Sequence, residues 1–186
     1  MEAKKVPEVM LNSGYKMPMI DFVTSHAPIE GHAAIVVDAI GIGYRHFDTG
    51  FHYGAEEAIG QASLMKGRYD LFITSKLWCS DARTNLVLPA LKPTLQCIWE
   101  AMEECQKRDL AKSIGARKFG SIKLTQLLEK ATIPPAVNQV EMNTSWRQAK
   151  LLQFCRDKGI HVTACSPLGA YKDIWGSDAV IENRIL

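Results

Sequence analysis

Short β-rich runs alternate with amphipathic helical runs along most of the chain. Between the β-rich runs, apolar residues recur at i, i+3 and i+4, as in Ala33, Val36, Val37 and Ile40, which is the spacing of a one-faced helix. This alternation predicts parallel strands joined by crossover helices. The predicted strands are Met19–Val23, Tyr44–Phe47, Leu71–Ser75, Lys112–Ala116, Ala136–Val140 and His161–Cys165.

The segment ahead of this alternation has a different pattern. The run "EVMLNSGYKMPM" (Glu8–Met19) has short β-rich stretches on either side of Ser13-Gly14. A serine-glycine pair between two such stretches is typical of a tight turn. The pattern predicts a small N-terminal β-hairpin.

The alternation breaks between two helical runs in the middle of the chain. Asn85–Gln96 and Cys97–Asp109 both fit a helix, and no β-rich run separates them. One interpretation is that a strand is missing at the Gln96–Cys97 junction. The other is a single long helix kinked near its start by Pro89 and Pro93. Both interpretations predict helix on each side of the junction.

Composition narrows the class of protein. The chain has 186 residues, 47% of them hydrophobic, which suffices for one domain with a core. The formal charge of +2 is spread along the sequence, so we expect no nucleic-acid partner and no membrane-surface partner. No apolar run approaches the roughly 20 residues that span a bilayer, and the N-terminus lacks a signal-peptide pattern. The five cysteines lack metal-site spacing, so we expect reduced thiols, no metal and a cytoplasmic location.

The stretch "YRHFDTGFHYG" (Tyr44–Gly54) raises the possibility of proton-transfer chemistry. Asp48 and Tyr53 come just past one predicted strand, and Lys76 comes just past the next. The carboxyl ends of neighbouring parallel strands meet at one edge, so the three side chains can converge. An ammonium beside a tyrosine, whose ordinary pKa is about 10, favours the ionised phenol, and a carboxylate keeps the ammonium charged.

Each of these residues also has an ordinary structural explanation. An aspartate after a strand is often a turn former or a helix N-cap. A single tyrosine such as Tyr53 is commonly a half-buried residue at the edge of a core, and a single lysine such as Lys76 is commonly a solvated charge. The joint pattern of Asp48, Tyr53 and Lys76 is what favours a site.

Four stretches carry a resemblance to plant aldo-keto reductases, in the branch that includes chalcone and codeinone reductases. They are "GYRHFDTGFHYGAEEAIG", "LFITSKLWCSDA", "PPAVNQVEMN" and "GIHVTACSPLGA", and "WEAMEECQK" lies among them in the expected order. The resemblance implies an α/β fold, the (β/α)8 TIM barrel. This chain would form an incomplete version of it, with about six parallel strands, crossover helices and an N-terminal β-hairpin.

The resemblance also implies roles for individual residues. Tyr53 matches the proton donor, Lys76 the lysine beside it and Asp48 the supporting carboxylate. The implied cofactor is NADPH/NADP+, and the implied substrate is a small-molecule carbonyl compound. Trp78 matches an aromatic residue of the family's substrate pocket. The residues that match cofactor contacts are Thr24, Asp48, Gln139, Ser166 and Leu168.

Several positions depart from the family pattern. The family's catalytic histidine follows the strand that is missing here, and none of the five histidines has its sequence context. Asp21 and Val23 replace glycines, and Cys165 stands where an aromatic residue stacks on the nicotinamide. Arg117 and Lys118 replace a serine-asparagine pair. We therefore expect weakened cofactor binding and impaired activity.

The sequence thus predicts a single domain, residues 1–186, that is internally deleted near 96–97 and truncated at 186. The predicted function is that of an NADPH-dependent carbonyl reductase of the aldo-keto type. The alternative is a non-catalytic shortened isoform or gene-model fragment that at most binds an intact relative. Loss of a barrel strand exposes strand edges, which predicts possible self-association.

Overall fold

The computed structural model describes residues 6–24, 31–66, 71–77, 91–170 and 176–182. The chain divides into two compact units, and each is described by itself below. The first unit consists of Met1–Met10 and Lys16–Val87, and the second of Leu11–Tyr15 and Leu88–Leu186. The predicted single domain over residues 1–186 stays a prediction.

The first unit contains an antiparallel hairpin and a parallel sheet. In the hairpin, Glu8 pairs with Pro18 and Met10 with Lys16. The sheet has three strands in the order β3-β4-β5. The described elements in chain order are β1 (Glu8–Met10), β2 (Lys16–Pro18), β3 (Phe22–Val23), α1 (His32–Ile42), β4 (His46–Asp48), a 3-10 helix (Phe51–Tyr53), α2 (Glu56–Lys66) and β5 (Phe72–Thr74).

One face of this sheet forms the core of the first unit. Phe47 is fully buried and clusters with apolar residues of α1 and α2, among them Val36, Ile40 and Ile59. Phe22 packs against the same cluster, with its ring 5.9 Å from that of Phe47. Because side chains alternate along a strand, the residues between these apolar positions face the opposite side of the sheet.

The second unit repeats the alternation of helix and strand. Its sheet is parallel and has the order β6-β7-β8. A Cβ atom added to Gly115 would lie 2.7 Å from the backbone oxygen of Val137, so this position has no room for a side chain. The described elements are α3 (Leu91–Lys107), β6 (Gly115–Arg117), α4 (Ser121–Leu128), β7 (Val137–Glu141), α5 (Ala149–Asp157) and β8 (His161–Cys165).

Helix α3 is fastened to the segment that leads into β7. The buried Glu103 accepts hydrogen bonds at Oε1 from the backbone N–H groups of Thr132, at 2.7 Å, and Ile133, at 2.9 Å. Trp99 Nε1 donates to the backbone oxygen of Ile133 at 3.0 Å. Buried polar groups need hydrogen-bond partners, and these two bonds supply them to the carboxylate. The carboxylate of Glu103 therefore holds the helix and the loop in one arrangement.

The predicted α/β fold with parallel strands and an N-terminal hairpin is confirmed. The described residues form six parallel strands and the hairpin, and the turn has Gly14 at a φ of 85°. The first parallel strand is shorter than predicted, at Phe22–Val23. The Gln96–Cys97 junction lies inside α3, as both interpretations of that region predicted. The earlier part of the predicted helical run, residues 85–90, lies outside the described residues.

Candidate active site

An ion pair joins two of the predicted catalytic residues in the first unit. Lys76 Nζ donates a hydrogen bond to Asp48 Oδ1 and another to the backbone oxygen of Thr49, at 2.9 Å. The side chains of Asp48 and Lys76 are only 2% and 15% exposed. Because both side chains are buried, solvent screens their attraction less than it screens an ion pair at the surface. Water also cannot readily replace either partner of the pair. The pair therefore fixes the lysine ammonium at the end of β4.

Tyr53 lies beside this ammonium. The 3-10 helix that carries Tyr53 begins right after Gly50, and Tyr53 N donates to the Gly50 backbone oxygen at 2.8 Å. Gly54 ends the helix at a φ of 67°, in the left-handed region that glycine adopts readily. Lys76 Nζ lies 4.9 Å from the centre of the Tyr53 ring. The structure thus brings Asp48, Tyr53 and Lys76 together, as the sequence predicted.

Gly50 contributes space to this arrangement, which the sequence analysis missed. A Cβ atom at Gly50 would lie 3.3 Å from Lys76 Cβ, 3.7 Å from Cγ and 3.8 Å from Cδ. The aliphatic stem of the lysine therefore runs across the Gly50 backbone on its way to Asp48. A small residue between Asp48 and Tyr53 was the signal in the sequence, and it became interpretable once the path of Lys76 was known.

Thr24, predicted to contact a cofactor, is tied to the end of β4. Its backbone N–H and its hydroxyl both donate to the backbone oxygen of Asp48, at 3.0 and 3.2 Å, and the residue is 6% exposed. The hydroxyl hydrogen of Thr24 is thereby engaged, which leaves an oxygen lone pair for any further partner. Within the first unit Thr24 thus serves to hold β3 against the residue that carries the site carboxylate.

His46 lies two residues before Asp48 in β4 and so shares its face of the sheet, opposite the apolar core. We call this the polar face. His46 Nδ1 lies 2.9 Å from the backbone oxygen of Pro18, and its Nε2 lies 2.9 Å from Thr74 Oγ1. Because a carbonyl oxygen can only accept, Nδ1 carries a hydrogen. The ring also makes an edge contact with Phe72, at 4.8 Å between centroids. The imidazole is therefore oriented from two sides by β2 and β5.

A second carboxyl group, Asp21, belongs to the same electrostatic environment. Burial raises the pKa of Asp21 above its ordinary value of 3.8. The charge of His46 opposes this rise in pKa, the charge of Asp48 adds to it, and the charge of Lys76 opposes it again. The ionisation of Asp21 is therefore coupled to the charges of both Asp48 and Lys76.

The remaining predicted cofactor contacts lie in the second unit. Gln139 sits in the middle strand, β7, paired with Arg117 on one side and Thr163 on the other. Ser166 directly follows β8 with a φ of 52°, and its backbone oxygen accepts from Gly169 N at 3.0 Å. Leu168, in this turn, is 60% exposed. Ser166 and Leu168 lie just beyond the carboxyl end of β8, at the edge where parallel α/β sheets bind ligands, whereas Gln139 is the central residue of β7.

The chemistry of these donors fits a nicotinamide dinucleotide. The Gln139 amide can donate and accept at once, which matches the donor and acceptor of a carboxamide. Arg117, next to Gln139 on the neighbouring strand, stands in place of one residue of the serine-asparagine pair and does not add to this match. Cys165, at the end of β8, is half-buried and offers a thiol in place of a ring. Trp78, predicted to contact substrate, lies outside the described residues.

Comparisons with known proteins place the chain in a family. The model of the Aldo/keto reductase family matches residues 90–171. Protein REDOX 2 of Catharanthus roseus is 45% identical over an alignment covering 98% of this chain and 72% of that protein. Rhazimal reductase 2 of Alstonia scholaris is 44% identical with the same coverage. The D-galacturonate reductase of Fragaria ananassa is 41% identical, covering 98% of this chain and 73% of that protein.

Solved structures agree with these relatives. A Bombyx mori aldo-keto reductase crystallised with NADP matches 90% of this chain and 68% of its own, with a TM-score of 0.79 and 29% identity. An aldo/keto reductase from Brucella melitensis matches 91% of this chain and 76% of its own, with a TM-score of 0.81 and 30% identity. The chain belongs to the aldo-keto reductase family. The resemblance to plant members of that family is confirmed.

Proposed function

We propose that this protein is an NADPH-dependent carbonyl reductase in which Tyr53 donates the proton. The observation that carries the proposal is the Lys76 ammonium, which is bound to the buried Asp48 and lies 4.9 Å from the centre of the Tyr53 ring. The bound cofactor would supply a hydride to the carbonyl carbon of a small-molecule substrate. The relatives named above include plant reductases, and one similar structure contains NADP.

In this proposal the protein residues handle the proton. As negative charge develops on the substrate oxygen, the Tyr53 hydroxyl gives it a proton and becomes a phenolate. The Lys76 ammonium stabilises that phenolate, and Asp48 and the Thr49 backbone oxygen keep the ammonium in place. General-acid catalysis by a positioned side chain typically contributes about 10²- to 10⁴-fold in rate. The low local dielectric of the buried pair increases the effect of the lysine charge.

Cofactor contacts are assigned in this proposal to Thr24, Asp48, Gln139, Ser166 and Leu168. We further propose that binding is weaker than in a typical family member. The half-exposed Val23 stands beside Asp48 on the polar face, where its side chain occupies space that a glycine would leave open. The thiol of Cys165 cannot stack on a ring. Trp78 is proposed to line the substrate pocket.

The experiment is a comparison of wild type with Tyr53→Phe. Purified protein is titrated with NADPH by cofactor fluorescence, and loss of NADPH absorbance is followed with an aromatic aldehyde. We expect Tyr53→Phe to lower kcat by at least about 10²-fold while NADPH affinity stays within a factor of two or so. Absence of NADPH binding by the wild type at millimolar concentration would refute the proposal.

Gln139 provides a second variant with a different expected signature. Gln139→Leu keeps the side-chain size and removes both polar atoms of the amide. It should raise the KM for NADPH with little change in kcat, because the lost contact is present in ground state and transition state alike. A fall in kcat without a change in KM would instead contradict the cofactor role of Gln139.

A second candidate function is that of a non-catalytic shortened isoform that binds an intact relative. The alignment with Protein REDOX 2 extends over 231 residues, more than the 186 of this chain, so it contains gaps on this chain's side. We propose that the main gap lies near 96–97 and removes the strand that precedes the family histidine. Sedimentation of the purified chain with a full-length plant relative tests this candidate. A complex that forms without NADPH turnover by the chain favours it, and two separate species exclude it.

The location and self-association of the protein also remain proposals. We propose a cytoplasmic protein that can self-associate through strand edges. In the part of the chain that the structure describes, no helix combines the length and apolar character needed to cross a bilayer. Sedimentation of the chain alone over a range of concentrations tests self-association. A concentration-independent monomer would exclude it.

A further inference from the structure

Asp21 is a charged side chain on the polar face of the β3-β4-β5 sheet, and the proposed reaction does not use it. Phe22 pairs with Phe47 in the parallel register, and both pack on the opposite, apolar face. Asp21 precedes Phe22, so strand alternation places it on the polar face, level with His46. Asp48 and Lys76 follow along that face.

Among the described residues Lys76 pairs directly with one carboxylate, that of Asp48, and Asp21 lies on the same face of the sheet. Asp48 binds the Lys76 ammonium directly, and the parallel register puts Asp21 level with His46, two residues before Val23, which pairs with Asp48. Asp21 is thus a near neighbour of the residue that binds the ammonium, and the charges of His46, Asp48 and, least, Lys76 act on the pKa of Asp21. The groups that face Asp21 are thus His46 and Asp48 from β4 and Lys76 from the segment after β5. Asp21 is half-buried, which limits the solvent screening of these interactions.

We propose that Asp21 is a positioning residue whose carboxylate, on the same face of the sheet as the Asp48–Lys76 ion pair, reduces the positive field acting on the Tyr53 phenol. The inference rests on the proposed function only for the role of Tyr53. Without a negative charge at Asp21, Lys76 stabilises the Tyr53 phenolate more strongly. Asp21 therefore sets the pH at which Tyr53 loses its proton.

The test measures the ionisation of Tyr53 directly, with neither cofactor nor substrate. Tyrosinate absorbance is followed against pH in the wild type and in Asp21→Asn, and the same curves in a Tyr53→Phe background are subtracted. The matched control is Asp38→Asn, which removes the same charge from an exposed position in α1. Asp21→Ser is a second uncharged variant, and circular dichroism verifies that each variant folds.

Asp21→Asn and Asp21→Ser should lower the titration midpoint of Tyr53 by roughly 0.5 pH units, which is a modest Coulomb interaction between partly buried charges. Asp38→Asn should leave the midpoint unchanged. If the Asp21 variants do not move the midpoint but Lys76→Met raises it, the inference about Asp21 is wrong and the proposed function stands. If Lys76→Met also leaves the midpoint unchanged, both are wrong.

Where the protein turns over NADPH, the pH profile gives an independent readout. The basic limb of kcat reports the proton donor, so Asp21→Asn should move that limb to lower pH by the same amount as the absorbance midpoint. A purely structural effect of the substitution would lower kcat at all pH values without moving the limb. That outcome would overturn the inference.

Discussion

The two parallel sheets hold their candidate site residues in different ways. In the first unit the strands are two or three residues long, yet the polar residues are joined by an ion pair, hydrogen bonds and a ring contact. In the second unit β7 and β8 pair over five residues, and Ser166 and Leu168 occupy a turn beyond the sheet. A proton donor needs a fixed position relative to its neighbours, whereas a ligand-contacting surface needs a rigid scaffold beneath it.

Gly50 in the first unit and Gly115 in the second differ in a corresponding way. Gly50 makes room for the flexible side chain of Lys76, so a methyl group there disturbs a functional group. Gly115 makes room for the backbone of the neighbouring strand, so a methyl group there disturbs the sheet itself. Gly50 thus accommodates a candidate site side chain, and Gly115 accommodates the neighbouring strand.

Lys76→Met is expected to have the largest effect. It leaves the Asp48 carboxylate buried without its cation, which should reduce the free energy of unfolding by on the order of 3 kcal/mol. Urea unfolding of the variant measures this loss. In the double variant Lys76→Met with Asp48→Asn, much of the loss should be recovered because no charge is left buried. A double variant as unstable as the single one would show that the ion pair is not the cause.

Gly115→Ala tests the second sheet. The added methyl group would lie 2.7 Å from the Val137 backbone oxygen, so the strands must shift, and we expect a loss of about 1–3 kcal/mol in urea unfolding. The matched control is Gly60→Ala in α2, where nothing lies within 4 Å, and it should stabilise by about 0.5–1 kcal/mol. Equal effects from the two substitutions would contradict the close approach of β6 and β7.

Gly50→Ala should separate activity from stability. Its φ of 179° suits any residue, and the three atoms nearest to an added methyl group all belong to Lys76, so we expect the substitution to act mainly through that side chain. Displacement of the lysine by a few tenths of an ångström should lower kcat roughly three- to tenfold, since about 1 Å can cost on the order of 10². The unfolding midpoint in urea should stay close to that of wild type. A large loss of stability with normal kcat would reverse our assignment of this glycine.

Acidification should change the stability of the two units in opposite directions. These are the smallest of the expected effects. Burial raises the folded-state pKa of Asp21 above 3.8, so the ionised carboxylate destabilises the folded state. This destabilisation disappears as the pH falls through the folded-state pKa. Burial lowers the folded-state pKa of His161 below 6.5, so stability present above pH 6.5 is lost as pH falls from 6.5 towards the folded value.

Thermal unfolding across this pH range checks both signs. Asp21→Asn should be more stable than wild type at neutral pH, and the gain should shrink on acidification. His161→Gln should lose part of the acid sensitivity that wild type shows just below pH 6.5. Parallel shifts of both variants at every pH would contradict these assignments.

The strands and the convergence of Asp48, Tyr53 and Lys76 were predictable because they depend on local patterns. Alternation of apolar residues fixed which segments are strands, and parallel order placed Asp48 and Lys76 at one edge. The position of β3 was less predictable, since Met19 and Ile20 are apolar but more than half exposed and lie outside the strand. Hydrophobicity alone does not distinguish a buried strand from an exposed apolar approach to it.

The roles of Gly50 and Asp21 could not be predicted from sequence in the same way. Each depends on a residue more than 20 positions away. The role of Gly50 depends on the path of the Lys76 side chain, and that of Asp21 depends on the register of β3 with β4. Asp21 and Val23 were predicted as obstructions to a cofactor, and the charge of Asp21 near Lys76 was missed. Such relationships require the register between strands, which no single segment encodes.

The anchoring of α3 has a consequence for how such a chain can change over evolution. Both anchors, Trp99 and Glu103, lie on the carboxyl side of the Gln96–Cys97 junction, and they grip the approach to β7. A change of chain length ahead of Trp99 would leave both of these contacts with the approach to β7 in place. We therefore expect insertions and deletions at the Gln96–Cys97 junction to be tolerated more readily than changes between Trp99 and Ile133.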